Sequence, residues 1–138
     1  LGRVAPRDFY PQVDVVVVPS LWQEPLGMVV AEALAFGKPV IGSRRGGIPE
    51  MIRAGENGLL FEPDRPGELV AALRQLAGDA TLRARMGEAA RASARPFMDR
   101  DRWVDQYQTL YQRLARGSSR TAVPAPAVTP EPPNKESP

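Results

Sequence analysis

Residues 14–43 read DVVVVPSLWQEPLGMVVAEALAFGKPVIGS, and this stretch decides the fold class. The run of four valines after Asp14 is apolar and β-branched throughout. Such a run is typical of a strand that is buried on both faces of a parallel sheet. Pro19 and Ser20 end the strand.

A helix and a second strand follow. Residues 26–36 have a helical composition, with Pro25 suited to the first turn and Gly37 suited to the C-terminal cap. Residues 39–43 form the next short strand. Strand, helix and strand at this spacing indicate a parallel βαβ unit, which is half of a doubly wound sheet.

The same alternation continues along the chain. The further predicted elements are a loop at 44–47, a short helix at 48–54, a strand at 59–61 and helices at 68–77, 81–95 and 102–116. We therefore expect an α/β fold with a partial doubly wound parallel sheet, Rossmann-like, and with helices gathered at its C-terminal end. Three or four strands are few for such a sheet, so we expect an N-terminal portion of the domain to precede Leu1.

Composition sets the domain boundaries and excludes several chemistries. The chain has 138 residues, enough for one domain. We assign 1–116 to a partial Rossmann-like domain and 117–138, which is rich in proline, to a disordered tail. With no Cys and no His, the chain has no disulfide framework, thiolate zinc site, Cys nucleophile or imidazole base. A formal charge of +2 gives no case for nucleic acid.

The candidate site lies between the first strand and its helix. Open α/β sheets bind ligands at the carboxyl ends of their strands. The start of the helix offers backbone N–H groups and a positive dipole end to an anion, most often phosphate. Gly27, expected in the first turn, lets a bulky diphosphate approach the backbone.

Two carboxylates bracket this helix start. Glu24 precedes the helix, and Glu32 lies about two turns inside it, roughly 9 Å along the axis from Leu26. One ligand could place a ribose diol at Glu32, its diphosphate over the helix N-terminus and a sugar at Glu24. In the simpler alternative, Glu24 serves only the helix dipole and Glu32 lies on a solvated face. The apolar residues from Val29 to Leu34 favour a partner for the Glu32 carboxylate.

The ordered motifs of residues 19–60 resemble one known family. They read P-S-x3-E-P-L-G-x4-E-A-L-A-x-G-K-P-V-I, then G-G-I-P-E at 46–50 and G-x2-G-L-L at 55–60. Glu24 and Glu32 form an E-x7-E pair within them. The series closely resembles the C-terminal nucleotide-sugar domain of retaining glycosyltransferases of family 4, which have the glycosyltransferase-B fold.

The resemblance implies a role for each residue of the site. Glu24 would be the catalytic residue that hydrogen-bonds the donor sugar near the reacting centre, and Glu32 would hold the ribose. The amides of Leu26, Gly27 and Met28 would contact the donor sugar and diphosphate. A sugar would pass from a nucleotide diphosphate to an acceptor hydroxyl with retention at the anomeric carbon, by front-face attack.

The resemblance also implies which parts of the family pattern lie outside this chain. The Arg and Lys that grip the diphosphate lie upstream of the equivalent of Gly2, as does the N-terminal domain that binds the acceptor. We therefore expect weak or no donor binding and no transfer by this chain alone. The expected partners are a nucleotide sugar and the missing N-terminal domain, without a cofactor, a metal or nucleic acid.

Two alternatives to a glycosyltransferase remain open. One is a non-catalytic nucleotide-sugar binding or partner module that arose by truncation. The other is a sugar-nucleotide 2-epimerase on the same fold, which the absence of His disfavours. We expect a cytoplasmic location.

Several further residues allow both a functional and a structural interpretation. Asp99 and Asp101 match the D-x-D metal motif of another glycosyltransferase fold, but we expect helix N-capping. Arg44 and Arg45 either reach phosphate or lie in a solvated loop. Trp22 either stacks on a sugar ring or packs under its loop.

The C-terminal helices carry two surface features. The first is a set of basic residues that could contact the inner face of an anionic membrane, although a solvent-exposed protein surface is the simpler interpretation. The set consists of Arg74, Arg83, Arg85, Arg91 and Arg95. An apolar stripe at helical spacing is predicted to dock the last helix: Trp103, Tyr107, Leu110, Tyr111 and Leu114.

Overall fold

The computed structural model describes residues 4–117. In chain order its elements are α1 (Pro6–Phe9), a 3-10 turn (Tyr10–Gln12), β1 (Val16–Val18), α2 (Met28–Ala35), β2 (Val40–Ser43), α3 (Ile48–Met51), β3 (Gly58–Phe61), α4 (Pro66–Gly78), α5 (Ala80–Met98) and α6 (Arg100–Gly117). The tail predicted for 117–138 lies, after Gly117, outside the described residues. The alternation of strands and helices follows the predicted order.

The described strands form one parallel sheet in the order β1-β2-β3. Val16 lies opposite Val40, and Val40 lies opposite Gly58. This confirms the α/β class and the parallel βαβ units. Because the three strands run in the same direction, the loops at 19–27, 44–47 and 62–65 all leave from one edge of the sheet.

Two apolar cores cover the two faces of the sheet. On one face Val16, Val18 and Val40 pack with residues of α2, α3 and α5. On the other face Ile41 and Phe61 pack with residues of α4 and α5. The central strand β2 is fully buried, as expected between two helical layers.

The first strand departs from the prediction of burial on both faces. Val16 and Val18 are buried, but Val17 is 37% exposed. Among the described residues, β1 has a neighbouring strand on one side only, because it ends the three-stranded order. Val16 and Val18 face the core beneath α2, whereas Val17 points to the opposite face, where less of the chain covers it.

The bounds of the predicted elements differ from the observed ones by up to three residues, and at two helices the backbone explains the difference. The first helix of the βαβ unit begins at Met28 rather than at 26, because Gly27 has φ +71°. This left-handed conformation interrupts a right-handed helix. The helix predicted for 48–54 ends at Met51, since Ile52 is extended with ψ 113°.

Asn57 joins the turn before β3 to α5 through a buried polar cluster. Its amide nitrogen Nδ2 donates to the carbonyl of Met51 at 3.1 Å and to the hydroxyl of Ser93 at 2.9 Å. Its oxygen Oδ1 accepts from the backbone N–H of Arg53 at 2.8 Å. Asn57 is fully buried, so these bonds satisfy groups that water does not reach.

Contacts divide the chain into one unit that ends at Arg102 and a second that begins at Trp103. Within the second unit, the rings of Trp103 and Tyr107 lie 4.3 Å apart, and those of Tyr107 and Tyr111 lie 6.0 Å apart. The predicted stripe therefore has its aromatic members in contact along one side of α6. None of the helices in the described range meets the length and hydropathy that a membrane span requires.

We predict that Asn57→Ala lowers the free energy of unfolding by about 2–4 kcal/mol, because each buried polar group left without a partner costs about 1–3 kcal/mol. Urea unfolding of the chain measures this loss. Glu56→Ala is the matched control, since Glu56 pairs with Arg53 at the surface and is expected to contribute less than about 1 kcal/mol. Equal losses for the two variants would contradict a structural role for the cluster.

Candidate functional site

Two loops meet where β1 and β2 end. The first loop runs over 19–27 and the second over 44–47. At their base the hydroxyl of Ser43 donates to the carbonyl of Ser20 at 2.8 Å, and both residues are buried. The end of β2 therefore fixes the start of the loop that contains the predicted candidate site.

Gly46 and Gly47 hold the backbone around Glu24. The N–H of Gly46 donates to Oε1 of Gln23 at 2.7 Å, and the N–H of Gly47 donates to the carbonyl of Glu24 at 2.8 Å. A Cβ on Gly46 would collide with the carbonyl oxygen of Glu24, and a Cβ on Gly47 would lie 2.7 Å from the carbonyl oxygen of Pro25. The two glycines therefore let two loops pack backbone against backbone.

A cavity of about 460 Å³ lies beside the first loop. Its lining includes four of the five predicted site residues, namely Glu24, Leu26, Gly27 and Met28. A volume of this size falls within the range of about 300–1,000 Å³ typical of small-molecule sites. The structure thus brings these four residues to one concave surface at the carboxyl edge of the sheet.

Gly27 precedes α2 instead of lying in its first turn. Its carbonyl accepts the N–H of Val30 at 2.7 Å, which closes the first turn of the helix. The first helical N–H groups are therefore those of Met28 and Val29. Glycine is favoured at position 27 because the residue before this helix has a φ of +71°, a value that other residues rarely adopt.

Trp22 lies on the cavity wall with 64% of its surface exposed. Its indole Nε1 donates to Oε2 of Glu24 at 3.0 Å. The alternative in which Trp22 packs under its loop is therefore wrong. The indole instead orients the Glu24 carboxylate and offers an aromatic surface at the cavity.

Glu32 lies one turn into α2, not two, because the helix begins at Met28. It is thus roughly 6 Å along the helix axis from Met28. Its Oε2 accepts a hydrogen bond from the hydroxyl of Tyr10 at 3.0 Å. Glu32 is not one of the described residues that line the 460 Å³ cavity, although Val29, one turn before it, is.

The structure places Tyr10, which no sequence motif marks, against Glu32. Tyr10 is 3% exposed, and its ring stacks on Phe36 with the ring centroids 5.0 Å apart. Burial, the hydrogen bond to Glu32 and the negative charge of Glu32 raise the pKa of Tyr10 to about 12. No motif marks a single tyrosine ahead of the first strand, and only the fold brings it to Glu32.

The second and third loops are linked by charge. Arg44 and Arg45 lie 3.5 Å and 3.8 Å from the carboxylate oxygens of Glu62. These side chains are partly exposed, so the pairs contribute little to stability. The two arginines are thus tied to an acid on the neighbouring loop.

Asp99 acts as a helix cap. Its Oδ1 accepts the N–H of Arg102 at 2.9 Å, which is the N-cap bond predicted for the start of α6. Within residues 4–117 no three or more Asp or Glu side chains cluster in a way that could hold a metal ion. The capping bond confirms the predicted role of Asp99, the first residue of the D-x-D match.

We predict that Gly46→Ala destabilises the chain more than Gly55→Ala does. Both glycines have positive φ, at +54° and +85°, which costs another residue about 1–2 kcal/mol. At Gly55 a Cβ meets nothing within 4 Å, whereas at Gly46 it also collides with Glu24. We expect a loss of about 3 kcal/mol or more at Gly46 in urea unfolding. Equal losses at the two positions would argue against the close contact of the loops.

The raised pKa of Tyr10 predicts a loss of stability at alkaline pH. Between pH 10 and about 12 the unfolded chain releases the phenol proton that the folded chain retains, so the free energy of unfolding falls as pH rises. Tyr10→Phe should flatten this fall in urea unfolding between pH 9 and 12. Tyr107→Phe, on α6, serves as the control and should leave the slope unchanged. A slope in Tyr10→Phe equal to that of the wild type would contradict the assignment.

Comparison with known proteins supports the motif resemblance. The family model described as "Glycosyl transferases group 1" matches residues 1–93. The D-inositol 3-phosphate glycosyltransferase of Corynebacterium jeikeium (strain K411) is 41% identical over 114 residues, which cover 80% of this chain and 26% of that protein. The chain spans between 21% and 30% of the first curated relatives that it matches.

Solved structures show the same fold. Sucrose-phosphate synthase from Thermosynechococcus elongatus matches with a TM-score of 0.71 and 32% identity, over 80% of this chain and 27% of that one. Anabaena Alr3699/HepE in complex with UDP-glucose matches with a TM-score of 0.69 and 29% identity, over 83% of this chain and 30% of that one. These findings confirm the α/β architecture of the glycosyltransferase-B type, and the chain belongs to the glycosyl transferases group 1 family.

Proposed function

We propose that this chain is the C-terminal, donor-binding part of a retaining glycosyltransferase that moves a sugar from a nucleotide diphosphate to an acceptor hydroxyl. The observation that carries the proposal is the cavity at the end of β1. The Glu24 carboxylate, the exposed Trp22 ring and the start of α2 all border it. These are the groups that a sugar joined to a diphosphate needs in one place.

The start of α2 suits the diphosphate. The N–H groups of Met28 and Val29 and the positive end of the helix dipole favour negative charge beside Gly27. Negative charge builds up on the departing nucleoside diphosphate in the transition state, where fixed donors stabilise it most. This requirement is electrostatic and needs no imidazole base, in keeping with a chain that contains no His.

Glu24 would hold the donor sugar. Trp22 donates to its Oε2, which leaves Oε1 to accept from sugar hydroxyls. In a front-face transfer the bond from the anomeric carbon to the phosphate oxygen breaks as the bond to the acceptor oxygen forms on the same face. The acceptor proton passes to the departing phosphate oxygen. Glu24 would fix the sugar and stabilise its positive charge during this step.

Glu32 would hold the ribose. Its position about 6 Å beyond the first helical residue suits the nucleoside end of a ligand whose diphosphate lies over that residue. A carboxylate accepts two hydrogen bonds from a vicinal diol, as the acidic residue of dinucleotide folds does. Oε1 remains for this purpose, since Tyr10 donates to Oε2.

The ligands of a structural relative support the ligand class. Anabaena Alr3699/HepE has been solved with UDP, with UDP and glucose, and with UDP-glucose, at 29–30% identity to this chain. A nucleotide sugar as donor, bound without a metal or another cofactor, fits the groups around the cavity. The cytoplasmic location and the contact with an anionic membrane stay predictions.

A second candidate is a module that binds a nucleotide sugar without transferring it. The observation that favours it is that Glu24, the Trp22 ring and the start of α2 border one cavity and would serve binding alone. The comparisons offer no support for the epimerase alternative. Neither candidate is expected to transfer a sugar as the 138-residue chain alone, so turnover by a longer chain that carries the upstream portion of the family pattern separates them.

The proposal predicts weak binding of nucleotide sugars that depends on both carboxylates. In an NMR titration of the 138-residue chain with UDP-, GDP- and ADP-glucose, we expect shifts at residues 22–32. Glu24→Ala and Glu32→Ala should each weaken binding about tenfold or more, since a hydrogen bond to a charged group contributes about 1.5–3 kcal/mol. The control Glu50→Ala, in the first turn of α3, should not change the affinity.

Two outcomes would contradict this prediction, and a third would contradict the expectation that this chain alone transfers no sugar. No binding of any of the three sugars at 20 mM would overturn donor binding by this chain. Unchanged affinity of Glu32→Ala would overturn its ribose role. Formation of a glycoside by the 138-residue chain with a sugar acceptor, detected by mass spectrometry, would overturn the expectation that transfer needs the upstream portion of the family pattern.

A further inference from the structure

Tyr10 lies outside the motif series of residues 19–60, yet it contacts a residue of the proposed donor site. It belongs to the 3-10 turn ahead of β1, 22 residues before Glu32. Its hydroxyl oxygen lies 3.0 Å from Oε2 of Glu32 and 3.4 Å from the carbonyl oxygen of Val29. A phenol has one hydrogen, and it serves the closer and charged acceptor, Glu32.

The ring that carries this hydroxyl is fixed by its own packing. It stacks on Phe36 at an interplanar angle of 21° and meets the edge of Phe9 at 73°, with centroids 5.2 Å apart. Phe36 follows Glu32 by four residues at the end of α2, so both lie on the same side of the helix. The position of the hydroxyl is therefore set by aromatic packing against α2 and not by the carboxylate.

A donor fixed in this way orders the carboxylate before a ligand arrives. A glutamate side chain loses rotamer entropy when it is held in one conformation. When the glutamate is already held in the free protein, this entropy loss no longer weakens ligand binding. The phenol also occupies only one of the two carboxylate oxygens, which leaves Oε1 for a diol.

Tyr10 remains a donor across the physiological pH range. Its burial and its contact with Glu32 raise the pKa of Tyr10 to about 12, so the phenol keeps its proton. A neutral donor orients Glu32 without cancelling the negative charge that attracts hydroxyl hydrogens. A lysine or arginine at this place would compete with the ligand for that charge.

From this geometry we propose that Tyr10 is a positioning residue that holds the Glu32 carboxylate in the orientation which accepts the ribose diol of the donor. The proposal rests on the ribose role of Glu32 in the proposed function. A purely structural Tyr10 would support the aromatic cluster and would have no effect that depends on the ribose hydroxyls.

A double-mutant cycle tests the proposal on the 138-residue chain. The probes are UDP and 2′,3′-dideoxy-UDP, and the variants are Tyr10→Phe, Glu32→Ala and the double variant, with Tyr107→Phe as the control. We expect Tyr10→Phe to raise the Kd for UDP about three- to tenfold and to leave the Kd for the dideoxy form unchanged. In the Glu32→Ala background, Tyr10→Phe should have no further effect.

The outcomes separate this proposal from the one on which it rests. If Glu32→Ala leaves the Kd for UDP unchanged, the ribose role itself fails. Suppose that Glu32→Ala weakens the binding of UDP. If Tyr10→Phe then leaves the Kd for UDP unchanged, or raises the Kd for UDP and for the dideoxy form equally, the positioning role is overturned and the ribose role stands.

A second measurement needs no ligand. In crystal structures of the wild type and of Tyr10→Phe, we expect the ring to keep its place on Phe36 while the Glu32 carboxylate moves or becomes disordered. A carboxylate that keeps its position in Tyr10→Phe would overturn the proposal, whether or not UDP binds.

Discussion

The contact of Gly46 and Gly47 with the backbone of Glu24 and Pro25 is the constraint on which the candidate site depends. Two loops that leave neighbouring parallel strands approach so closely that no side chain fits between them at Gly46. The N–H groups of the second loop then bond to the first loop, which fixes the approach of the chain to Gly27. The loop after β2 therefore determines the position of the start of α2 as much as the loop after β1 does. The surface that could bind an anion lies at this helix start.

The fold followed from the sequence because its signals are local. A run of valines, a helix start and a capping glycine each act within a few residues, so the order of strands and helices could be predicted. The start of α2 was missed because it depends on φ at Gly27, and glycine adopts both signs of φ with equal ease. The partial exposure of Val17 was missed because it depends on which distant elements pack on that face of β1.

Only those site residues that lie close together in the sequence could be predicted to share a cavity. Glu24, Leu26, Gly27 and Met28 reach one cavity because they are close in sequence and border one helix start. The partners of the two acids could not be predicted in the same way. Tyr10 reaches Glu32 across 22 residues, through packing that no local pattern encodes. Trp22 could be noted as an aromatic near a site, but its bond to Glu24 depends on side-chain rotamers.

The two acids of the proposed donor site share one electrostatic arrangement. Each accepts one hydrogen bond from a neutral aromatic donor, an indole at Glu24 and a phenol at Glu32. In the described part of the chain, no arginine or lysine forms an ion pair with either acid, and the nearby Arg44 and Arg45 pair with Glu62. A neutral donor restrains a carboxylate yet leaves its charge to attract hydroxyl hydrogens, whereas a cation would neutralise that charge. Because sugars and ribose present hydroxyl groups and no net charge, acids ordered in this way suit them better than acids held in salt bridges.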